Sequence, residues 1–282
     1  MSLFLLTLMF TYVNAPFVEM REGPSLDTKV DSQAIYAERV EILETAHDWI
    51  KIQTPDTYTG WVKKDLLRTQ DYPFIDHTGA LTAMINRRSA HIYAEPDLAM
   101  GPMMTLPYES RLQVIDQMGN PEGRWLCVQL VNGQNAYVQR GDIMLNPKPL
   151  NHEELTSLSL NFMDLPYTWG GRVSFGYDCS GFTQMLYRRI GVILPRNARQ
   201  QINWNGFHEV ATESLQPGDL IFFGKDSSKI VHVGLFLGDN WFIHASQSEN
   251  KPYIRLNNLT EARWNGTEGS PFPFRTARGI RG

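Results

Sequence analysis

The residue in this chain whose setting is best suited to covalent chemistry is Cys179. It follows the polar, turn-forming dipeptide Tyr-Asp at 177–178, and apolar residues recur after it at helical spacing as far as Gly191. This pattern predicts a helix that begins close to Cys179. Unpaired N–H groups and the positive end of the helix dipole favour a thiolate there, and a thiolate is the nucleophile for acyl transfer.

The chain has one other cysteine, Cys127, which lies in the segment Arg-Trp-Leu-Cys-Val-Gln-Leu at 124–130. This segment is typical of a core strand, and most cysteines are small buried hydrophobic residues. We therefore assign no catalytic role to Cys127. Because Cys179 is needed as a thiol, the two cysteines also argue against a structural disulfide.

Two histidines follow in the strand-like segments 230–237 and 241–245, which are separated by Gly-Asp-Asn at 238–240. The Gly-Asp-Asn sequence predicts a tight turn, so the two segments should form an antiparallel hairpin. His232 and His244 are then expected roughly opposite each other on one face. Beside Cys179, His232 would take the thiol proton, and His244 would hold the tautomer of His232 by a hydrogen bond.

Two other interpretations of the three residues stay open at this point. Each histidine could be a structural residue, which is the usual role of a lone histidine, although the pairing near a cysteine favours catalysis. A Cys-His-His zinc site is the second alternative. The chain has no close ligand pair of the CxxC or HxxxH kind at these positions, which counts against zinc.

The chain resembles the NlpC/P60 family of cysteine peptidases in six segments that come in the order of the family. The resemblance implies a papain-like α+β fold with Cys179 as nucleophile, His232 as base and His244 as third polar residue. It also implies cleavage next to γ-D-glutamyl in bacterial peptidoglycan peptides. The segments are Leu-Pro-Tyr-Thr-Trp-Gly-Gly at 165–171, Asp-Cys-Ser-Gly-Phe at 178–182, Leu-Pro-Arg at 194–196, Leu-Gln-Pro-Gly-Asp-Leu-Ile-Phe-Phe at 215–223, His-Val-Gly at 232–234 and Ile-His-Ala at 243–245.

Further site residues are implied by the same resemblance. Tyr167 matches the family tyrosine near the nucleophile, so its phenol is expected to donate a hydrogen bond to the oxyanion together with the Cys179 backbone N–H; a packing aromatic is the alternative. Asp178 and Ser180 are expected to hold the amino end of the substrate, and Asp178 also to cap the helix. Trp169 is expected to line the groove, and the two glycines after it to let the backbone approach the ligand.

The first half of the chain contains an internal repeat of short alternating strands with Gly, Pro and Asp turns. The two copies resemble bacterial SH3 domains. The fold class expected is therefore α+β, with two small SH3-like β-barrels followed by a papain-like NlpC/P60 catalytic domain. The paired segments are 37–42 with 108–114, 48–52 with 124–128, and 58–62 with 135–138.

The expected domains are a first SH3-like barrel at 11–70, a second at 75–146 and the catalytic domain at 150–282. Asn-Pro-Lys-Pro at 146–149 is expected to be the linker, because proline stiffens the chain. A helix is expected at about 151–163, with two glutamates in its first turn and an apolar stripe of Leu155, Leu158 and Phe162.

The two barrels have either a general wall-binding role or a more specific one at the active site. In family members that act on released peptides, a tyrosine of the first barrel contacts the free amino terminus of L-Ala-γ-D-Glu. Tyr58 matches this tyrosine by position, and an ordinary barrel aromatic is the alternative. Glu22 is the candidate acidic partner of the amine. At Ala198 such relatives tend to have serine, so one substrate hydrogen bond is expected to be missing.

Composition excludes several other functions for this chain of 282 residues. The net charge is −4 and no Lys/Arg cluster stands out, so no nucleic acid partner is expected. No phosphate-binding glycine loop and no membrane-spanning apolar run are present, and no cofactor or metal is expected. The apolar segment 3–10 lacks a preceding positive residue, which favours the cytoplasm over the cell envelope; a monomer is expected.

The leading hypothesis is a γ-D-glutamyl-diamino acid endopeptidase that acts on small muropeptides with a free N-terminal L-Ala, in their degradation or recycling. A hydrolase of stem peptides in intact peptidoglycan is the first alternative. A non-catalytic peptidoglycan-binding protein is the second, and the intact set of Cys179, His232 and His244 argues against it. A lipid-acting relative of the fold is a further alternative, but such proteins lack paired SH3-like barrels. The sequence leaves meso-diaminopimelate and lysine equally open.

Overall fold

The computed structural model describes residues 9–75, 81–116, 123–265 and 273–280. Its contacts divide the chain into two units, residues 1–147 and residues 148–282. Most of the apolar N-terminal segment at 3–10 lies outside the described residues. Within the described part of the chain, no helix is both long enough and apolar enough to cross a membrane.

The N-terminal unit contains two antiparallel sheets of seven strands each. The first sheet has β1 (Phe10–Val13), β2 (Phe17–Arg21), β3 (Val30–Ile35), β4 (Arg39–Ala46), β5 (Trp49–Gln53), β6 (Thr59–Lys63) and β7 (Leu67–Gln70). The second sheet has β8 (Thr82–Ile85), β9 (Ser89–Tyr93), β10 (Met104–Pro107), β11 (Arg111–Asp116), β12 (Trp125–Gln129), β13 (Asn135–Gln139) and β14 (Ile143–Leu145).

The internal repeat predicted from the sequence is confirmed by the order of the strands. The first sheet runs β3-β2-β6-β5-β4-β1-β7, and the second runs β10-β9-β13-β12-β11-β8-β14, which is the same order displaced by one copy. The predicted SH3-like fold is confirmed, and the sheets differ from full barrels only in detail. Among the described residues the end strands of each sheet are not hydrogen-bonded to each other, so each sheet bends around its core without closing.

Two tyrosines of the first sheet join the hydrophobic core of the second. Tyr12 and Tyr36 are buried with Phe74 in that core. Each phenol also accepts a backbone hydrogen bond, from Phe74 N–H at 3.2 Å and from Val131 N–H at 2.8 Å. Buried phenols of this kind need a polar partner. The partner of Tyr36 comes from the second copy of the repeat, and the partner of Tyr12 comes from the segment between the two copies. Cys127 lies in β12 and is buried, as its apolar neighbours predicted.

The C-terminal unit combines three helices with a six-stranded antiparallel sheet. The order in the sheet is β17-β22-β18-β19-β20-β21, and a separate two-stranded ribbon joins β15 to β16. The elements are α1 (His152–Leu160), β15 (Arg172–Val173), β16 (Gly176–Tyr177), α2 (Cys179–Arg189), α3 (Ala198–Gln201), β17 (Phe207–Val210), β18 (Leu220–Gly224), β19 (Ile230–Gly238), β20 (Trp241–Ser246), β21 (Tyr253–Asn258) and β22 (Phe274–Ile280).

Helix α1 begins where the sequence predicted and ends three residues earlier than expected. Asn151 and Glu154 form a capping box, in which each side chain accepts a hydrogen bond from the backbone of the other. Leu155 is buried, as expected of the apolar stripe. Phe162 is also buried, but it lies beyond the end of the helix. Its ring packs edge-on against Phe182 of α2, which ties the two helices together.

Candidate active site

Cys179 is the first residue of α2, and the sequence around it explains why the helix begins there. The Asp178 side chain accepts the backbone N–H of Gly181 at 2.8 Å and thereby caps the helix, as predicted. Gly191 has φ +86°, a left-handed conformation that ends a helix readily when the residue is glycine. Nearly all of α2 is buried, and it packs on β19, which brings Cys179 to the central sheet.

The Asp178 carboxylate is bound by protein groups on both of its oxygens. Arg196 donates to both, from Nη1 at 3.0 Å and from Nη2 in the ion pair. Gly170 N–H donates at 3.1 Å, and the Ser180 hydroxyl donates at 3.2 Å while accepting from Arg196. Asp178, Ser180 and Arg196 are all buried. The charge of Asp178 is therefore balanced within the protein, and Ser180 is held in the same cluster.

His232 in β19 and His244 in β20 lie on the same face of the hairpin and are hydrogen-bonded. Nε2 of His232 lies 2.7 Å from Nδ1 of His244. The two histidines were expected directly opposite each other, but the register of the two strands differs from the expected one by two residues. Phe236 pairs with Phe242, and a bulge follows before Gly238. The ring nitrogens face each other rather than a common point, so the pair does not have the geometry of a zinc site.

The two histidine rings are covered by an aromatic residue from a later segment. Trp264 is buried and stacks on His232 with ring centroids 5.7 Å apart, and it meets His244 edge-on at 5.0 Å. Burial, together with the positive charge of Arg255, lowers the pKa of His232 to about 3. Burial also lowers the pKa of His244 well below its usual value. Both imidazoles are therefore neutral at neutral pH.

The surroundings of Cys179 act against the expected thiolate. Burial, followed by the negative charge of Asp178, raises the pKa of the thiol to about 12. The backbone N–H groups of Val233 and Ser180 act in the opposite direction but do not outweigh burial. The resting site thus holds a thiol and a neutral imidazole, so the proton must leave Cys179 when the substrate is attacked.

Cys179 and His232 open onto one cavity of about 230 Å³. Tyr167 and Trp169 line the same cavity, and Trp169 is 66% exposed. Burial raises the pKa of the Tyr167 phenol, so the phenol keeps its proton and can donate a hydrogen bond. The described residues on the remaining wall are Val231, Ser246, Gln247, Ser248, Arg263 and Trp264.

The two glycines after Trp169 make close contacts within the C-terminal unit. Gly170 has φ +74°, which directs its N–H to the Asp178 carboxylate. A Cβ at Gly171 would collide with the carbonyl oxygen of Gly176. These contacts show a close approach between two loops of the unit, and the approach of this backbone to substrate stays a prediction.

Tyr58 and Glu22 belong to the N-terminal unit, and each lies directly beside the end of one of two paired strands. Strands β2 and β6 pair at Arg21 and Trp61, next to Glu22 and three residues from Tyr58. Tyr58 is partly buried against the core of the first sheet. Glu22 is exposed. The substrate-binding roles of both residues stay predictions.

The sequence interpretation gave no role to three polar residues that surround the site. Arg196 lies within the Leu-Pro-Arg match and supplies the counter-charge of Asp178. Asn257 accepts from His244 at 2.9 Å, and Arg255 donates to the same Asn257 oxygen at 3.1 Å. The alternation of Arg255 and Asn257 on one face of β21 was the available signal, but it does not reveal which face meets the histidines.

Comparison with known protein families agrees with this architecture. Residues 164–267 match the NlpC/P60 family, and residues 16–68 match the bacterial SH3 domain. Among solved structures, an NlpC/P60 family protein from Bacillus cereus ATCC 10987 has a TM-score of 0.81. It covers 97% of this chain and 99% of its own at 23% identity, so the similarity shows a shared fold.

Two curated relatives are similar over most of their length. A gamma-D-glutamyl-L-lysine dipeptidyl-peptidase from Bacillus cereus (strain ATCC 10987 / NRS 248) is 31% identical over 242 residues, which are 80% of this chain and 70% of the relative. A protein named dipeptidyl-peptidase 6 from Lysinibacillus sphaericus is 29% identical over 260 residues, which are 88% of this chain and 91% of the relative.

Proposed function

Because the chain belongs to the NlpC/P60 family, we propose that it is a cysteine peptidase that hydrolyses the bond between γ-D-glutamyl and a diamino acid in peptidoglycan peptides. The observation behind this proposal is one cavity lined by Cys179 and His232, with His232 hydrogen-bonded to His244 at 2.7 Å. A thiol, a neutral base and an orienting residue are what acyl transfer to cysteine requires.

In the proposed reaction, the Cys179 thiol proton passes to His232 as sulfur attacks the γ-carbonyl carbon. The carbonyl π electrons move to oxygen, and the oxyanion accepts hydrogen bonds from Tyr167 and the Cys179 backbone N–H. Collapse of this intermediate breaks the C–N bond, and the amine leaves with the proton from His232. Water then attacks the thioester carbonyl with His232 again as base. The C–S bond breaks, the sulfur takes the proton back from His232, and the peptide L-Ala-γ-D-Glu is released.

We further propose that the substrate carries a free N-terminal L-Ala. The relatives that are named dipeptidyl-peptidases support this, because such enzymes release a dipeptide from a free amino terminus. Asp178 and Ser180 are the proposed contacts of the amine in the C-terminal unit, and Tyr58 and Glu22 are the proposed substrate-binding residues of the N-terminal unit. The domains at 11–70, 75–146 and 150–282 belong to the same proposal, and the bacterial SH3 match at 16–68 supports the first of them.

The reaction is tested with L-Ala-γ-D-Glu-diamino acid tripeptides, one with meso-diaminopimelate and one with L-lysine. The wild-type protein should release L-Ala-γ-D-Glu, detected by mass spectrometry. Cys179→Ala should abolish turnover because no thioester forms, whereas Cys127→Ala should retain it. Hydrolysis by the Cys179→Ala protein well above background would reject the cysteine peptidase.

The requirement for a free amine is tested with N-acetylated tripeptide and intact sacculi. Loss of a charged hydrogen bond costs about 1.5–3 kcal/mol, or on the order of 10–100-fold in kcat/KM. Tyr58→Ala should reduce hydrolysis of the free peptide, while Tyr72→Ala, at a tyrosine that is 53% exposed, should not. Equal rates on free and acetylated peptides, with rapid cleavage of sacculi, would favour the wall hydrolase instead.

A further inference from the structure

The hydrogen bonds around the histidine pair continue into residues that the reaction scheme does not use. Nε2 of His244 lies 2.9 Å from Oδ1 of Asn257. The Asn257 amide nitrogen donates to the Glu261 carboxylate at 2.7 Å, and the other Glu261 oxygen accepts from Asn258 N–H at 2.8 Å. His244 and Asn257 are both buried. Among the described residues, a continuous chain of hydrogen bonds thus runs from His232 through His244 and Asn257 to Glu261.

The orientation of the Asn257 amide is determined by neighbours whose hydrogen-bonding roles cannot change. Arg255 can only donate, and its Nε–H points at Oδ1 of Asn257 at 3.1 Å. The Glu261 carboxylate can only accept, and it faces the amide nitrogen. A reversed amide would set two donors against each other on one side and two acceptors on the other. Asn257 therefore presents its oxygen to His244.

This orientation dictates where each histidine holds its proton. The neutral His244 has a single N–H, and it must lie on Nε2 because Asn257 offers only an acceptor. Nδ1 of His244 is then an acceptor, so Nε2 of His232 must donate to it at 2.7 Å. The neutral His232 has its one proton on Nε2, which leaves Nδ1 with a lone pair.

We propose that Asn257 and Glu261 are positioning residues that hold His244 and His232 in their Nε2–H tautomers, so that Nδ1 of His232 receives the Cys179 proton. This inference rests on the proposed function of Cys179 and His232. On proton transfer, His232 becomes an imidazolium that keeps donating from Nε2 to His244. No proton moves to His244 or Asn257, and the proton on Nδ1 later leaves with the amine.

If both histidines carried their protons on Nδ1 instead, His232 could not act as the base. If an N–H group faced His244, the proton of His244 would move to Nδ1 and the proton of His232 to its own Nδ1. No lone pair would then remain for the Cys179 thiol. Loss of the Asn257 acceptor leaves the buried Nε2–H of His244 unpaired, which disfavours the productive state. The expected loss is about 10-fold in kcat with KM little changed.

Kinetics of Asn257→Leu and Asn258→Leu separate this role from general packing. The two residues are adjacent on β21 and point to opposite faces. Among the described residues, the Asn258 side chain hydrogen-bonds to Asp239 and Thr260 and not to either histidine. Asn257→Leu should lower kcat about 10-fold, whereas Asn258→Leu should leave it within about 2-fold of wild type. Equal losses of kcat in both variants would overturn the proposal.

The tautomers themselves are observable without any substrate, by long-range ¹H–¹⁵N NMR correlation of histidine-labelled protein. The chain has seven histidines, so His232→Gln and His244→Gln spectra are needed for assignment. Wild type should show both rings as neutral Nε2–H tautomers, and Asn257→Leu should show a mixture. An Nδ1–H tautomer of wild-type His232 would overturn the proposal even if the protein hydrolyses the peptide. Correct tautomers without hydrolysis would instead reject the proposed function alone.

The double variant Asn257→Asp, Glu261→Gln provides the rescue. It keeps an acceptor towards His244 and Arg255 and reverses the donor and acceptor between positions 257 and 261. Most of the kcat lost in Asn257→Leu should return. The new negative charge beside His244 favours imidazolium, so the acid limb of kcat/KM should move to higher pH. If kcat did not recover and the acid limb of the kcat/KM profile did not shift, position 257 would have a role other than accepting a hydrogen bond from His244.

Discussion

Cys179 and His232 are both uncharged at rest, because burial acts on a thiol and on an imidazole in opposite directions. Desolvation disfavours the charged form of each group, so it raises the pKa of Cys179 to about 12 and lowers that of His232 to about 3. A resting thiolate–imidazolium pair would need the reverse order of these two pKa values. The site is therefore arranged for proton transfer during the attack rather than before it.

Ultraviolet absorbance of the thiolate checks this protonation state. The difference spectrum between wild type and Cys179→Ala cancels Cys127 and isolates the catalytic sulfur. No thiolate band is expected at about pH 7, because the raised pKa keeps the proton on sulfur, and the band should grow only in strongly alkaline solution. A full thiolate band at neutral pH would contradict the expectation.

The ion pair of Asp178 with Arg196 should stabilise the fold through charge balance. Arg196→Met leaves the buried carboxylate without its cation, which costs about 3–5 kcal/mol of unfolding free energy. The double variant Arg196→Met, Asp178→Asn should recover most of this loss, because asparagine removes the charge and still caps α2. Urea denaturation at neutral pH measures both. A double variant as unstable as the single one would mean that the uncompensated charge is not the cause.

At the scale of elements, the start of α2 is pressed against the loop that precedes it. Gly181 lies so close to the Gly171 carbonyl oxygen that an added Cβ would collide with it. Moving packed backbone atoms apart costs free energy, so this contact fixes the distance between the loop with Tyr167 and the helix with Cys179. The two glycines in the matched segments are therefore required by packing between elements.

Gly181→Ala tests this close approach against Gly141→Ala. Gly141 has open space around its Cβ position, so alanine there should change the unfolding free energy by no more than about 0.5 kcal/mol. Alanine at Gly181 should lower it by about 1–3 kcal/mol and also reduce kcat, because the helix start must move. Thermal or urea unfolding together with peptide hydrolysis reports both effects. A Gly181→Ala protein with wild-type stability and activity would refute the close contact.

At the scale of the whole molecule, the buried histidines make stability depend on pH. Both folded-state pKa values lie below the unfolded value of about 6.5, so the unfolded chain binds more protons as the pH falls. The stability that the two neutral histidines contribute is fully present above about pH 6.5. It is lost progressively as the pH falls towards the pKa of His232, by up to about 1.4 kcal/mol per pH unit for each histidine.

Urea denaturation between about pH 7 and pH 4 measures this dependence. Wild type and His244→Gln share the contributions of all carboxylates away from this site, so the difference between their slopes isolates His244. The variant should lose less stability on acidification, with the difference approaching about 1.4 kcal/mol per pH unit at the acid end. Parallel curves for the two proteins would show that His244 is not held neutral in the folded state.

Features that depend on neighbours in the chain could be predicted from the sequence alone. The cap at Asp178, the helix after Cys179, the hairpin with its two histidines on one face and the duplicated strands of the N-terminal unit all follow from local propensity and periodicity. These patterns, together with the order of the matched segments, were enough to predict the fold and to select the candidate residues.

The protonation and the partners of those residues depend on contacts that form only in the folded protein. The helix position suggested a thiolate at Cys179, but desolvation by surrounding elements reverses it. The bulge after Phe236 sets the histidine register, and Trp264 and Asn257 approach the pair from segments that no local pattern connects to it. Burial and hydrogen bonding at a site are sums over contacts that are distant in sequence, so they exist only once the chain has folded.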